Sequence, residues 1–387
     1  MTPGGAGPEL LEAGPPPASP QARRRWRVAL GVLAVLASVV AGTAVLRAAD
    51  GPADRRASSP ASSSQAPTPL PVSSTRRPLP TDPSVLRRGG PTLDGFGTGA
   101  LFLRSIDTVY RLGLTTGQIT ATSAAVGVSA PVGFLAGPDG VILRPLDYLP
   151  GLFVPDDRPA RELTGRLRGG SQVLRGPGEQ VWVSDSFDGR SSSLTLVDFA
   201  GRPAGPTVRE NGYFLPDGSG GLLLVDTAGV WESRAGSWRR ITTGSLLATG
   251  PHHYLLGDCG DGTRLCRTFR YDRRTRQQTE LPADRVELFG GGGVLSADGR
   301  YVAVMVSNPA GVGLTEVVEL STGRMVTQLA QPSGTTDVST VALWSSRGHR
   351  LAALSGGRLV VLDPAPGGAT VEPDLGLNRL VALTLRP

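Results

Sequence analysis

Few residues in this chain could do chemistry, and their order along the chain limits what they can do. Cys259 and Cys266 are the only cysteines, and they flank Gly260-Asp261-Gly262. An Asp-Gly segment of this kind joins two facing strands, which would set the two thiols opposite each other within disulfide reach. A bridge closing so short a loop stabilises locally by about 2 kcal/mol. Free thiols are the second reading. Zinc is the third, and it needs two further ligands that His252 and His253 do not supply at a recognised spacing. His349, the remaining histidine, stands where related turns carry Gly-Arg and reads as an exposed turn residue. No Ser-His-Asp order and no His-Glu-x-x-His pair is legible, so nucleophilic and zinc hydrolysis lack support. No catalytic, cofactor-binding or metal-binding residue is therefore assigned. Asp156-Asp157 and the Asp185/Asp188 pair could line a calcium loop, although acids in loops are more often simply solvated.

The densest charge follows the second cysteine: Arg264, Arg267, Arg270, Arg273, Arg274 and Arg276. On a strand running to Asp272, alternation places Arg267, Phe269 and Tyr271 on one face and Arg270 with Asp272 on the other. One reading is a surface for an anionic wall polymer, a lipid headgroup or an acidic partner. The other is a solvated hairpin, because the chain contains no lysine and all its basic side chains are arginine, the habit of a GC-rich genome.

Overall charge does not point to nucleic acid. The net charge is +6, but residues 1–90 hold 11 Arg against 5 acids and already account for it. The remainder of the chain is formally neutral, so nucleic acid is excluded as a partner.

The elements that must position these residues begin with an anchor. Residues 28–46 carry no charge and are bounded by Arg27 and Arg47. As a helix they would cover roughly 28 Å, close to the thickness of bilayer hydrocarbon. Arg23, Arg24, Arg25 and Arg27 precede this run. The positive-inside rule then predicts a cytoplasmic tail at 1–25, a transmembrane signal-anchor helix at 26–47 and the bulk of the chain outside the plasma membrane. Cleavage after Gly42-Thr43-Ala44 is the alternative, but the apolar run is longer than the core of a signal peptide. Residues 50–90 contain eight Pro and eight Ser. A stretch of that composition cannot bury enough surface to fold, so 48–90 reads as a disordered tether. It would reach on the order of 130 Å when stretched and about 35 Å as a coil.

From residue 91 the sequence turns to short apolar strands punctuated by Gly-rich turns, with no sustained helical period. Asp94-Gly95, Asp139-Gly140, Pro177-Gly178, Asp217-Gly218, Pro251-His252, Asp298-Gly299 and Arg347-Gly348 recur at intervals of 34 to 49 residues. A period near 40 with about four strands per unit is the signature of a β-propeller. The fold predicted for 91–387 is all-β, a propeller of seven blades, with six or eight as the alternatives. The run that starts at Arg379 and Leu380 resembles the strand before each turn, whereas the first unit lacks one. The C-terminal strand is therefore expected to complete the first blade as its innermost strand.

The unit beginning Ser296-Ala297-Asp298-Gly299-Arg300-Tyr301, with its later Leu320-Ser321-Thr322-Gly323 turn, resembles TolB-type and tryptophan–aspartate-type propeller repeats. The units at 294–323 and 343–364 carry the likeness; the second to fifth are degenerate, and the Gly-His and Trp-Asp marks are absent. The resemblance implies the fold and a general binding role. The function expected is a membrane-tethered, non-catalytic binding or scaffold module whose partner is an envelope protein or cell-wall polymer, with no cofactor. The alternative is a propeller enzyme, a lyase or glycan hydrolase with its site at the channel mouth.

Overall fold

The computed structural model describes residues 81–124, 131–145, 150–170, 172–187, 191–234, 236–259, 266–282, 292–307, 312–335 and 337–386. The expected tail, the anchor at 26–47 and the spacer as far as residue 80 lie outside the described residues. Among the described residues no helix is long and apolar enough to cross a membrane. The sole α-helix among them is the short Gly165–Gly169 turn.

Alternation and turn chemistry build antiparallel meanders. Numbered along the chain, meander 1 holds Ala100–Arg104, Thr108–Gly113 and Ile119–Ser123. Meander 2 holds Pro131–Gly137, Gly140–Pro145, Leu152–Pro155 and Arg161–Glu162. Meander 3 is Val173–Arg175, Gln180–Phe187, Ser191–Asp198 and Pro203–Asn211. Meander 4 is Tyr213–Pro216, Leu222–Asp226, Gly229–Arg234 and Ser237–Thr242. Meander 5 is Ser245–Thr249, His253–Cys259, Cys266–Asp272 and Gln278–Glu280. Meander 6 is Gly293–Leu295, Tyr301–Ser307, Gly313–Glu319 and Arg324–Ala330, and meander 7 is Ala342–Trp344, Leu351–Ser355, Arg358–Leu362 and Thr370–Val371. Meanders 5 and 6 merge into one eight-stranded sheet, because their first strands pair in parallel at Ala248↔Gly293 and Thr249↔Val294.

The C-terminal strand Ala382–Arg386 pairs antiparallel with Ala100–Arg104, from Ala100↔Arg386 to Arg104↔Ala382. It is the innermost strand of meander 1, as the sequence leads one to expect. The turns singled out by repeat spacing also hold. In meanders 2 to 7 each lies between the first and second strands, and Asp94-Gly95 precedes the second strand of meander 1.

The start of the domain differs from the boundary at residue 91. Ser84–Arg87, assigned to the spacer by composition, pairs antiparallel with Ile119–Ser123 at Ser84↔Ala121 and forms a fifth, outermost strand on meander 1. All four residues are exposed. Backbone hydrogen bonds rather than burial hold this strand, and that is why composition does not register it.

The second strands explain why the elements close into a ring. In Ala100–Arg104, Ala100 and Phe102 pack into the core shared with meander 2, while Leu101 and Leu103 pack into the core shared with meander 7. In His253–Cys259, Leu255 faces meander 6 while Tyr254 and Leu256 face meander 4. Each sheet is thus apolar on both faces, and its second strand reads as an uninterrupted apolar run instead of an alternating one. Seven such cores among the described residues join each meander to the next, and the last joins meander 7 back to meander 1. The architecture is an all-β propeller. The Leu103 side chain is fully buried, and truncating it to Ala should cost about 2–5 kcal/mol.

Closure through the last strand is directly checkable. Removing residues 377–387 strips Ala382 and Leu383 from two cores and leaves Ala100–Arg104 without its inner partner. The truncated chain should aggregate or melt well below the intact one; an unchanged melting curve would show that the ring does not depend on that strand.

Candidate functional site

The turns between first and second strands, and those between third and fourth strands, gather at one end of the ring. The most elaborate polar constellation there lies between meanders 4 and 5. Asp217 follows the first strand of meander 4, and its carboxylate ties down its own turn by accepting from Ser219 N at 2.7 Å and Gly221 N at 2.8 Å. Gly220 (φ +99°) packs this turn against meander 3, where a Cβ would lie 2.5 Å from the Gly176 carbonyl oxygen. Glu232 comes from the third strand of meander 4. Arg273 follows the third strand of meander 5 and reaches across to both acids. Its Nε donates to Glu232 Oε1 at 3.1 Å and its Nη2 to Asp217 Oδ2. Its Nη1 faces Asp217 O, Ser219 Oγ and Pro251 O at 3.0 to 3.1 Å. The Tyr254 hydroxyl donates to Glu232 Oε1 at 2.8 Å, and the guanidinium carbon sits 4.8 Å from the Tyr254 ring centre.

Asp217 and Glu232 are almost fully buried. Burial works against charge on Arg273, but Tyr254, Asp217 and Glu232 outweigh it and hold its pKa above the ordinary arginine value. Burial also pushes the Tyr254 hydroxyl well above the usual phenol range. The network fixes the floor of an open cleft of about 660 Å³, walled by Ser219, Glu232, Ser233, His252, Asp272 and Arg274. Chemically the cleft offers carboxylate, hydroxyl, imidazole and guanidinium groups side by side. It therefore suits a ligand that both donates and accepts hydrogen bonds.

The histidines occupy different situations. His252 is exposed at the cleft rim, whereas His253 opens a strand and is largely enclosed. The Nδ1 atom of His253 is buried without a hydrogen-bond partner among the described residues, and Nε2 lies 3.8 Å from Asp272 Oδ2. Burial first, and then Arg270, lowers the His253 pKa against the opposing pull of Asp272. His349 departs from the exposed turn residue expected. Its Nδ1 is 2.9 Å from Asp298 Oδ2 in meander 6, its Nε2 is 3.4 Å from Asp363 Oδ1, and its ring centre is 5.4 Å from that of Tyr301. Local spacing could not reveal this, because Asp298 arrives from the preceding meander. Burial would raise the Asp298 pKa, but hydrogen bonds from Ser296, Arg300 N and His349 hold it below the usual carboxylate value.

The arginines grouped by sequence diverge in space. Arg267 forms an exposed two-point pair with Glu280 and sits 5.5 Å from the Phe269 ring centre. Arg270 donates to Gly299 O in meander 6 at 3.3 Å, while Arg273 turns the other way into meander 4. Arg274 lines the cleft, Arg276 occupies a left-handed turn position (φ 64°), and Arg264 lies outside the described residues. Cys259 and Cys266 are register partners at the ends of their strands, as the Asp-Gly loop predicts; their side chains lie outside the description. Asp156 accepts from Arg386 Nη2 at 2.6 Å and lies 3.5 Å from Arg111 Nε, while Asp157 is exposed beside Arg158. The Asp185 side chain and Asp188 lie outside the description. Sequence reading passed over Asp217 and Asp298 as ligands of other side chains, although both stand in the Asp-Gly turns that the repeat picks out.

This arrangement belongs to the class of β-propellers. No protein-family model matches the sequence, and no curated protein matches it. Among solved structures, TolB from Acinetobacter baumannii superposes with a TM-score of 0.36 at 13% identity. The match covers 74% of this chain and 65% of TolB, so it spans just under two thirds of that protein's length. A putative 6-phosphogluconolactonase from Bacteroides uniformis gives a TM-score of 0.46 at 12% identity over 74% of this chain and 99% of that one. The likeness is one of fold.

Two outcomes follow from the polar network. Arg273→Ala leaves Asp217 and Glu232 buried without their cation and should destabilise the domain by about 3–5 kcal/mol, read as a fall in denaturation midpoint; a change below 1 kcal/mol would show that the carboxylates do not need it. The pH dependence has a definite sign. His253 takes up a proton less readily in the fold than in the unfolded chain, where an ordinary histidine titrates near pH 6.5, so stability declines as pH falls through that value. A second decline, from Asp272 and Asp298, belongs to the carboxylate range near pH 4 and below. His253→Gln should flatten the first decline in a melting-temperature series and leave the second in place.

Proposed function

We propose that this protein is a non-catalytic binding module of the cell envelope. Each meander is read as one blade, giving a seven-bladed propeller that stands outside the plasma membrane. The helix at 26–47 anchors it with the N-terminus in the cytoplasm, and the Pro/Ser-rich segment serves as its tether. The observation that carries the reading is the cleft between the fourth and fifth blades. Its floor is immobilised by Arg273, Asp217 and Glu232, while its rim presents unlike polar groups from two separate blades. Charges already engaged in holding blades together are poor candidates for acid–base work and good ones for a rigid recognition surface. The partner is an envelope protein or a wall polymer. An oxidising compartment also favours a disulfide between Cys259 and Cys266, and the direct pairing of their positions across two antiparallel strands supports it.

In-cell photo-crosslinking tests the site. A crosslinking residue at His252 should capture one dominant envelope protein or wall glycan, whereas the same residue at Met325, exposed on an outer strand, should not. Equal capture from both positions would remove the cleft from consideration. Release of cleaved glycan would instead make the protein a lyase or hydrolase. For the disulfide, alkylation without reductant should label neither cysteine, and quantitative labelling would rule the bridge out.

A further inference from the structure

The seven innermost strands contain no Asp and no Glu. Their only charged residues are Arg175, at the end of Val173–Arg175, and Arg386, at the end of Ala382–Arg386. Arg386 is neutralised: it binds Asp156 and the carbonyls of Gly137 and Pro138, with its guanidinium carbon 5.1 Å from the Phe102 ring centre. Arg175 has no such arrangement. Its Nη2 donates at 2.8 Å to Leu385 O, reaching from meander 3 to meander 1 past the inner strand of meander 2. Among the described residues no carboxylate lies within ion-pair distance of it. The side chain is accessible to water, yet the surrounding protein desolvates it enough to lower its pKa.

A guanidinium on an acid-free lining, with no carboxylate beside it among the described residues, carries an uncompensated charge. With one of its five N–H donors engaged, the planar fork keeps the geometry for a two-point pair with a carboxylate or phosphate. The lining reinforces this preference. Apart from the short pairing between Ser245–Thr249 and Gly293–Leu295, the inner strands stand at the edges of their sheets with no ladder partner on that side. Such edges present backbone N–H groups alternating with carbonyls, and the N–H groups can add hydrogen bonds to an anion paired with Arg175.

We infer that the axis of the ring is an anion-binding site, in which Arg175 takes the carboxylate or phosphate group of a small organic anion in a two-point hydrogen-bonded pair. The site is separate from the cleft between the fourth and fifth blades and requires neither the membrane anchor nor a partner protein. It is also separate from the Arg264–Arg276 run that sequence density singles out, whose Arg267 and Arg273 already hold carboxylates.

Calorimetric titration of the full chain with inorganic phosphate, and separately with citrate, tests the site at low ionic strength. At least one of the two should bind at a single site and weaken as salt is raised. Binding of phosphate alone or of citrate alone identifies the group that is recognised. Arg175→Gln should weaken binding by at least tenfold. Arg175→Lys keeps the charge without the fork, so it should melt like the wild type and bind several-fold more weakly. Arg267→Gln, on an exposed pair away from the axis, should bind as the wild type does. Absence of binding to both anions, or wild-type affinity in either Arg175 variant, overturns the inference. Either result leaves the cleft untouched, because the crosslinking readout at His252 does not involve the axis.

Discussion

Every sheet of this propeller is apolar on both faces, and the rest of the structure follows from that constraint. Tyr254 and Leu256 pack toward meander 4 while Leu255 packs toward meander 6, and Val302 and Ala303 divide in the same way between meanders 5 and 7. A linear stack of such sheets would leave one bare apolar face at each end and a set of open strand edges. Bending the stack into a ring removes both faces. The joint is the antiparallel pairing of Ala382–Arg386 with Ala100–Arg104, contacts between residues nearly the full domain apart. Contacts that distant form late and carry a large loop-closure cost, so the burial on either side of the joint must offset it.

Where the apolar cores give way to turns, polar side chains take over the junctions. Arg386 crosses from meander 1 to Asp156 of meander 2, Arg273 crosses from meander 5 to Asp217 and Glu232 of meander 4, and His349 crosses from meander 7 to Asp298 of meander 6. Trp182 does the same without charge, donating from meander 3 to Gly220 O of meander 4 at 3.2 Å. Desolvation offsets much of the attraction in a buried pair, so these contacts add little net stability, but losing one partner is costly. Their consequence is a set of side chains pinned between neighbouring meanders. In the cleft between meanders 4 and 5, the side chains already held are Asp217, Glu232, Tyr254 and Arg273.

Charge is distributed by position in the ring. Acids populate turns and the second, third and outer strands, and the inner strands have none. Although the domain is formally neutral, the charged residues of its described inner strands, Arg175 and Arg386, are both positive. Composition over the whole domain averages this asymmetry away.

How much of this was legible without coordinates depends on the range of the interaction. The propeller, the turns at Asp139-Gly140, Asp217-Gly218 and Asp298-Gly299, the closing strand and the facing positions of Cys259 and Cys266 follow from periodicity, turn chemistry and strand alternation, all local properties of the chain. The edge strand Ser84–Arg87 escaped because it is held by backbone hydrogen bonds and buries nothing. His349 escaped because its carboxylates come from Asp298 and Asp363, in different meanders. Arg267, Arg270 and Arg273 are neighbours in sequence, yet strand alternation and the end of the strand send them toward Glu280, meander 6 and meander 4. Arg175 and Leu385 are far apart in sequence and meet only across the ring. The sequence by itself determined which residues form strands and where they turn, because pattern and turn preference act over a few residues. Only the tertiary structure decided which charges are neutralised and which are left exposed on the axis, because that depends on which meander stands beside which.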